Sequence, residues 1–280
     1  QRNILNSLKI LSKDINFKLS KRWFSSKDNL QDNSISFLSE LNKEDIKKIN
    51  IQNKKNIILL IKKKNNKLNS SIYQIEVSNP KLIFFKLLEK FYKLEIKNKK
   101  PIIGKNTKIY QNVVFGKNVK IGKNCSIFSN VVINDNVQIG NNCEIKSGSV
   151  LGQKGFQAIQ NHEGNLIEIF HVGGLIIGDN VDVGALNTIA CGTLDNTIIK
   201  SYNKFDDHVH VAHNGSFSSN NIICAGTIFG GSVNIGENNF FGLNSTIRNF
   251  IKIGSNNFIG QGSNIVKNVK NNCLVYGNPG

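Results

Sequence analysis

From Ile199 to Ile265 every sixth residue is large and apolar, through Phe205, Val211, Phe217, Ile223, Phe229, Ile235, Phe241, Ile247, Ile253 and Ile259. The same phase runs from Ile103 to Leu151 and resumes at Ile177, Val183 and Ile189. A period of six fits neither an amphipathic helix nor a two-sided strand. It fits a solenoid of short strands joined by tight corners, in which each sixth side chain points inward and stacks on its equivalent in the next coil. Glycine, asparagine and aspartate recur beside the apolar residue, as in Gly-Lys-Asn and Gly-Asp-Asn, and supply the corner conformations. The twenty-four hexads, three to a coil, predict about eight coils and a prism about 38 Å long at a strand spacing of ~4.8 Å.

The hexads occupy residues 101–280, and residues 1–100 read as a separate small α/β domain. Residues 1–22 predict a helix with Ile4, Leu5, Leu8, Leu11 and Ile15 on one side. Short apolar runs follow at residues 34–38, 56–61 and 72–77, alternating with lysine-rich helices or turns. Asn79 and Pro80 then open a helix from Lys81 to Tyr92. Lys97 to Pro101 link it to the solenoid. The hexads break twice: at residues 152–175, an excursion of the size that serves function or packs on a neighbouring subunit, and near Thr193 to Thr197, where four residues are inserted.

Composition narrows the function classes. The net charge of +17 suggests nucleic acid, but residues 1–100 carry 23 Lys/Arg against 9 Asp/Glu, while 101–280 carry 13 against 10. A lysine-rich solvated surface accounts for this, with a basic dock for an acidic partner as the alternative; nucleic acid is not expected. No apolar run reaches the length of a membrane span of about 18 residues, and no secretory pattern opens the chain. The cysteines Cys125, Cys143, Cys191, Cys224 and Cys273 stand singly, without metal-ligand or disulfide spacing. A cytoplasmic protein without a metal site is expected. There is no P-loop, no Gly-x-Ser-x-Gly and no credibly spaced carboxylate pair.

Titratable groups gather once, in the segment from Asp206 to Asn214, which holds His208, His210 and His213. Val211 points inward, and His213 falls near a corner from which its side chain reaches an outer groove. Histidine is the natural general base near neutral pH. A nearby aspartate such as Asp206 is a candidate to orient its ring.

The blocks Gly173 to Ala185, Gly192 to Thr197 and Val211-Ala212-His213-Asn214 resemble the LpxD family, the UDP-3-O-acylglucosamine N-acyltransferases of lipid A biosynthesis. Gly155-Phe156 looks like that family's glycine-phenylalanine loop. Ile35 to Leu38 and Val77 to Leu82 resemble motifs of its uridine-binding domain. The resemblance implies a mainly β fold, a homotrimer of left-handed parallel β-helices, each with a small N-terminal α/β domain, and active sites between subunits. It implies transfer of an acyl group from a thioester of acyl carrier protein or coenzyme A to the amine of a UDP-linked aminosugar. No cofactor is needed beyond that acyl donor. His213 matches the family's base. Glycine N–H groups at Gly226, Gly230 or Gly231 are candidates to receive the oxyanion. Asp206, Asn214, Phe156 and His171 are candidates for orientation and substrate contact, and Phe37 matches an aromatic that packs on uracil.

The chain also departs from that pattern. Ile189-Ala190-Cys191-Gly192 stands where the family has Ile-Asp-Arg-Gly, Phe250 replaces a second histidine, and Lys43 replaces the second uracil-stacking aromatic. The hexads run to the end at Val275 to Gly280, an ending that resembles acetyl-CoA-dependent acetyltransferases acting on nucleotide sugars or sialic acid. Such an O- or N-acetyltransferase is the alternative expectation, and a non-catalytic scaffold is the third.

Overall fold

The computed structural model describes residues 24–40, 42–92, 100–161 and 163–280. The helix expected over residues 1–22 and most of the link at 97–101 lie outside the described residues. The chain divides into two compact units, one taking in Gln1–Leu94 and Ala158–Phe170, the other Glu95–Gln157 and His171–Gly280.

The first unit holds a three-stranded parallel sheet in the order β1 (Ile35–Leu38), β2 (Ile57–Ile61), β3 (Ile72–Glu76), with α1 (Lys43–Ile51) and α2 (Pro80–Phe91). The central strand β2 is apolar throughout and buried at every residue, as a parallel strand covered on both faces must be. Each helix starts on an asparagine cap. Asn42 accepts from the Asp45 N–H, and Asn79 accepts from the Leu82 N–H with Pro80 in the first turn. Leu38, Ile49, Leu59 and Ile61 pack in one cluster of the core. Phe37 packs in another, its ring centroid 4.8 Å from Phe84 and 5.7 Å from Phe85. The excursion contributes an antiparallel hairpin to this unit, Ala158–Gln160 against Leu166–Glu168, turned by Asn161 and Gly164.

The second unit is the solenoid. Its two- to four-residue strands form three parallel sheets of 8, 9 and 8 strands. Successive coils pair inward residues, Ile109 with Ile127 and Ile235 with Ile253. All twelve apolar positions from Ile199 to Ile265 are buried, whereas Ile103 in the first coil is exposed. Phe205, Phe217, Phe229 and Phe241 form a continuous edge-to-face chain inside the prism, with centroids 5.7, 4.9 and 5.0 Å apart. The insertion lengthens one coil, so that Ile177 pairs with Ile199.

The corners correct one expectation. The left-handed conformation falls mostly on asparagine, as at Asn106, Asn124, Asn142 and Asn238, and not on the glycine that follows each inward residue. That glycine answers a different demand. A Cβ on Gly184 would lie 2.5 Å from the Asp206 carbonyl carbon, and one on Gly242 2.5 Å from the Gln261 nitrogen. Glycine is there because adjacent coils approach each other through their backbones.

A second internal column was not apparent in the hexads. Asn203, Asn221, Asn239 and Asn257 are buried one above another. Each Oδ1 accepts the next coil's backbone N–H at 2.8–3.0 Å, ending at the Cys273 N–H. Such ladders satisfy donors that the corner leaves inside. Cys125 and Cys143 occupy the same column, with the Cys143 N–H directed at the Cys125 sulfur, so they stack as expected. No described helix is long and apolar enough to cross a membrane.

His210 lies on the outer face of the third sheet, paired with Thr188 and Ile228. Burial pushes its imidazole below the ordinary range. The folded chain therefore takes up this proton less readily than the unfolded chain. Its contribution to stability is complete above the unfolded value of about 6.5 and is lost as pH falls through it towards the folded value. Urea midpoints compared between pH of about 7.5 and 5.5 are expected to differ less in His210→Gln than in the wild type.

Candidate active site

The segment from Asp206 to Asn214 does not stay together in space. His208 and Asp206 occupy one corner, His210 faces outward from a strand, and His213 stands on the next corner. Asp206 is exposed, and its carboxylate accepts from the Ala225 N–H at 3.2 Å. No hydrogen bond links it to His213 among the described residues. Seven residues separate the two, which on this repeat is one face of the prism. Asp206 is therefore not the residue that orients the ring.

That partner is Asn214. Its Oδ1 lies 2.9 Å from His213 Nδ1. The same oxygen accepts from the Thr193 N–H at 3.0 Å and from the Thr193 hydroxyl at 2.8 Å. Asn214 takes the left-handed corner conformation that asparagine tolerates, and its own N–H donates to Thr197 Oγ1 at 3.0 Å. Thr193 and Thr197 both come from the four-residue insertion or its edge. The insertion thus builds one wall of the site, which the unbroken hexads had no means of indicating.

Two glycines confine the ring. A Cβ on Gly155 would lie 2.6 Å from the His213 Cβ, and one on Gly231 would lie 2.7 Å from both Cε1 and Nε2. Any larger side chain at position 231 would strike the nitrogen that faces outward from the Asn214 bond. Of the three candidate oxyanion glycines, Gly226 donates its N–H to the Asp207 carbonyl and Gly230 to the Ile247 carbonyl. The Gly231 N–H has no acceptor among the described residues. His171 is buried and packs edge-on against His213, with ring centroids 5.8 Å apart. Phe156, next to Gly155, is 99% exposed.

The structure therefore brings His213, Asn214, Gly231 and His171 together, with Phe156 one residue from Gly155. Phe37 is half-buried in the aromatic cluster of the first unit, and Lys43 begins α1 there. Cys191, in the segment that departs from the family pattern, is buried, and burial raises its thiol to about 11. It is not a ready nucleophile. Among the described residues no three His, Cys, Asp or Glu side chains gather to hold a metal ion. Chemically, the arrangement offers an imidazole oriented at Nδ1, a nearby uncommitted N–H and an exposed aromatic.

Residues 100–133 and 120–153 match the family described as Bacterial transferase hexapeptide (six repeats). LpxA from Acinetobacter baumannii superposes with a TM-score of 0.60 at 28% identity, covering 66% of this chain and 69% of that one. LpxA from Bacteroides fragilis, a UDP-N-acetylglucosamine acyltransferase, gives 0.52 at 26%, covering 64% and 68%. Superposition on these structures makes the solenoid a left-handed parallel β-helix, and residues 100–153 carry the hexapeptide repeats of the matched family. In sequence, a segment of the chain resembles UDP-3-O-acylglucosamine N-acyltransferases. That from Coxiella burnetii (strain Dugway 5J108-111) is 44% identical over 81 residues, 28% of this chain and 24% of its own length. That from Hahella chejuensis is 37% identical over 95 residues, 34% and 27% respectively. The matched segments span about a quarter of those curated relatives.

Proposed function

We propose that the protein transfers an acyl group from a thioester to the amine of a UDP-linked aminosugar, as the names of its curated relatives suggest. One observation carries the reading: His213 is held at Nδ1 by Asn214 while its other ring nitrogen faces Gly231, whose N–H is uncommitted. In this reaction the neutral amine attacks the thioester carbon. A base removes the amine proton as the N–C bond forms, and the carbonyl oxygen gains negative charge until the C–S bond breaks and the thiol departs with a proton. His213 supplies the base and the Gly231 N–H receives the developing oxyanion. Both reacting groups arrive on substrates, so no resident cofactor is required. Phe156, exposed beside the site, suits an apolar acyl chain or a neighbouring subunit. A homotrimer with sites between subunits follows from the LpxD resemblance and is checked by the mass of the protein in solution. Phe37 is assigned to uracil contact on the same resemblance.

The test is a donor comparison with UDP-3-O-acylglucosamine as acceptor and either hydroxyacyl-acyl carrier protein or acetyl-CoA as donor. N-acylation from the carrier protein supports the proposal. Transfer from acetyl-CoA alone assigns the chain to the acetyltransferases, and transfer from neither across a panel of nucleotide aminosugars overturns the enzymatic reading.

A further inference from the structure

We propose that Thr193, carried by the four-residue insertion, is a positioning residue that fixes which nitrogen of His213 bears the proton. The inference deepens the reading of His213 as base and rests on it for its catalytic consequence, though not for its geometry. It begins at a group whose role is unambiguous. A backbone N–H can only donate, so the Asn214 atom 3.0 Å from the Thr193 nitrogen is the amide oxygen. The opposite amide orientation would set the NH₂ against that N–H and would also lose the contact from Nδ2 to the Asp195 carbonyl at 3.4 Å. With the oxygen fixed, His213 Nδ1 at 2.9 Å must donate to it. The neutral ring then carries its proton on Nδ1, and Nε2 keeps the lone pair that faces Gly231.

The Thr193 hydroxyl strengthens the same choice. It lies 2.8 Å from Asn214 Oδ1, against 3.3 Å from Gln157 Oε1 and 3.5 Å from His213 Nδ1. Thr193 is buried, so its hydroxyl is largely shielded from water. The loop that presents it is tied at both ends: the Val172 N–H donates to the Thr193 carbonyl and the Gly174 N–H to Asn196 Oδ1 at 2.7 Å. A regular coil, lacking the insertion, would have no residue at this place. The insertion thus sets the base's tautomer from outside the repeat.

The decisive measurement is the tautomer of His213, read from ¹⁵N-labelled histidine by long-range ¹H–¹⁵N correlation at alkaline pH and assigned with His213→Gln. The wild type is expected to show the Nδ1–H form, as is Thr193→Ser, which keeps the hydroxyl. Thr193→Val is expected to show a measurable Nε2–H population, and to lower kcat about fivefold with KM unchanged and activity restored in the serine variant. An Nε2–H wild type overturns the proposal, as does a valine variant with unaltered tautomer and kcat. Should Thr193→Val fail to fold, the wild-type spectrum and Thr193→Ala decide in the same way. An absence of acyl transfer in every variant would sink the catalytic reading alone, since the tautomer is measured without substrate.

Discussion

Replacing His213 by alanine is expected to lower kcat for acyl transfer by about a hundred- to ten-thousand-fold, the usual contribution of a positioned general base. The amine becomes cationic as it attacks, and without a base its proton leaves only to water. Because the contact matters chiefly while the N–C bond forms, kcat and kcat/KM should fall together and KM should change little. The loss must not come from unfolding. His213 is half-buried on a corner, outside the apolar column of the prism, so the melting temperature should stay close to that of the wild type. Asn214→Asp retains an acceptor for Nδ1, and its rate should lie between those of the wild type and His213→Ala. Steady-state kinetics with the donor identified above checks both variants. A His213→Ala enzyme that keeps more than about a tenth of the activity removes the histidine from the chemistry.

How much of this was readable from the residues depends on whether they obey the repeat. The inward column from Ile199 to Ile265 was legible because packing imposes one demand, an apolar side chain, at every sixth place. The asparagine column at Asn203, Asn221, Asn239 and Asn257 obeys an 18-residue spacing. It is the same signal at one-third the frequency, and it needed the coil length to be assumed before it could be seen. Corner glycines were read for backbone freedom because composition does not distinguish that use from close approach between coils. Asp206 was placed beside His213 by proximity in sequence, yet seven residues on this fold turn a corner. Thr193 was hidden for the opposite reason: the insertion that carries it breaks the phase, and without phase no neighbour in the adjacent coil can be assigned. Handedness had to come from resemblance, since the hexads read the same in either sense.

Phe229→Ala is expected to destabilise the solenoid by about 3–5 kcal/mol, the range for removing a fully buried aromatic. Phe229 is 0% exposed and stands between Phe217 and Phe241, with ring centroids 4.9 and 5.0 Å away. Removing it breaks both edge-to-face contacts and leaves a void that parallel coils, locked in register at Val211–Phe229–Ile247, cannot close by sliding. A β-solenoid is stabilised by each coil's interfaces with its two neighbours, so the damage falls on the coils immediately above and below. One of those coils carries His213, and Gly231 follows two residues after Phe229 in the damaged coil itself. Urea unfolding should therefore show a lower midpoint. Hydrogen exchange should show protection lost first around residues 211–247, with the three-stranded sheet at Ile35–Leu38, Ile57–Ile61 and Ile72–Glu76 less affected. Phe229→Leu, which keeps most of the apolar volume, should lose about half as much or less. Equal losses for leucine and alanine would show that the void is not what destabilises the coil, and an unchanged midpoint for alanine would mean that the phenylalanine chain does not hold these coils together.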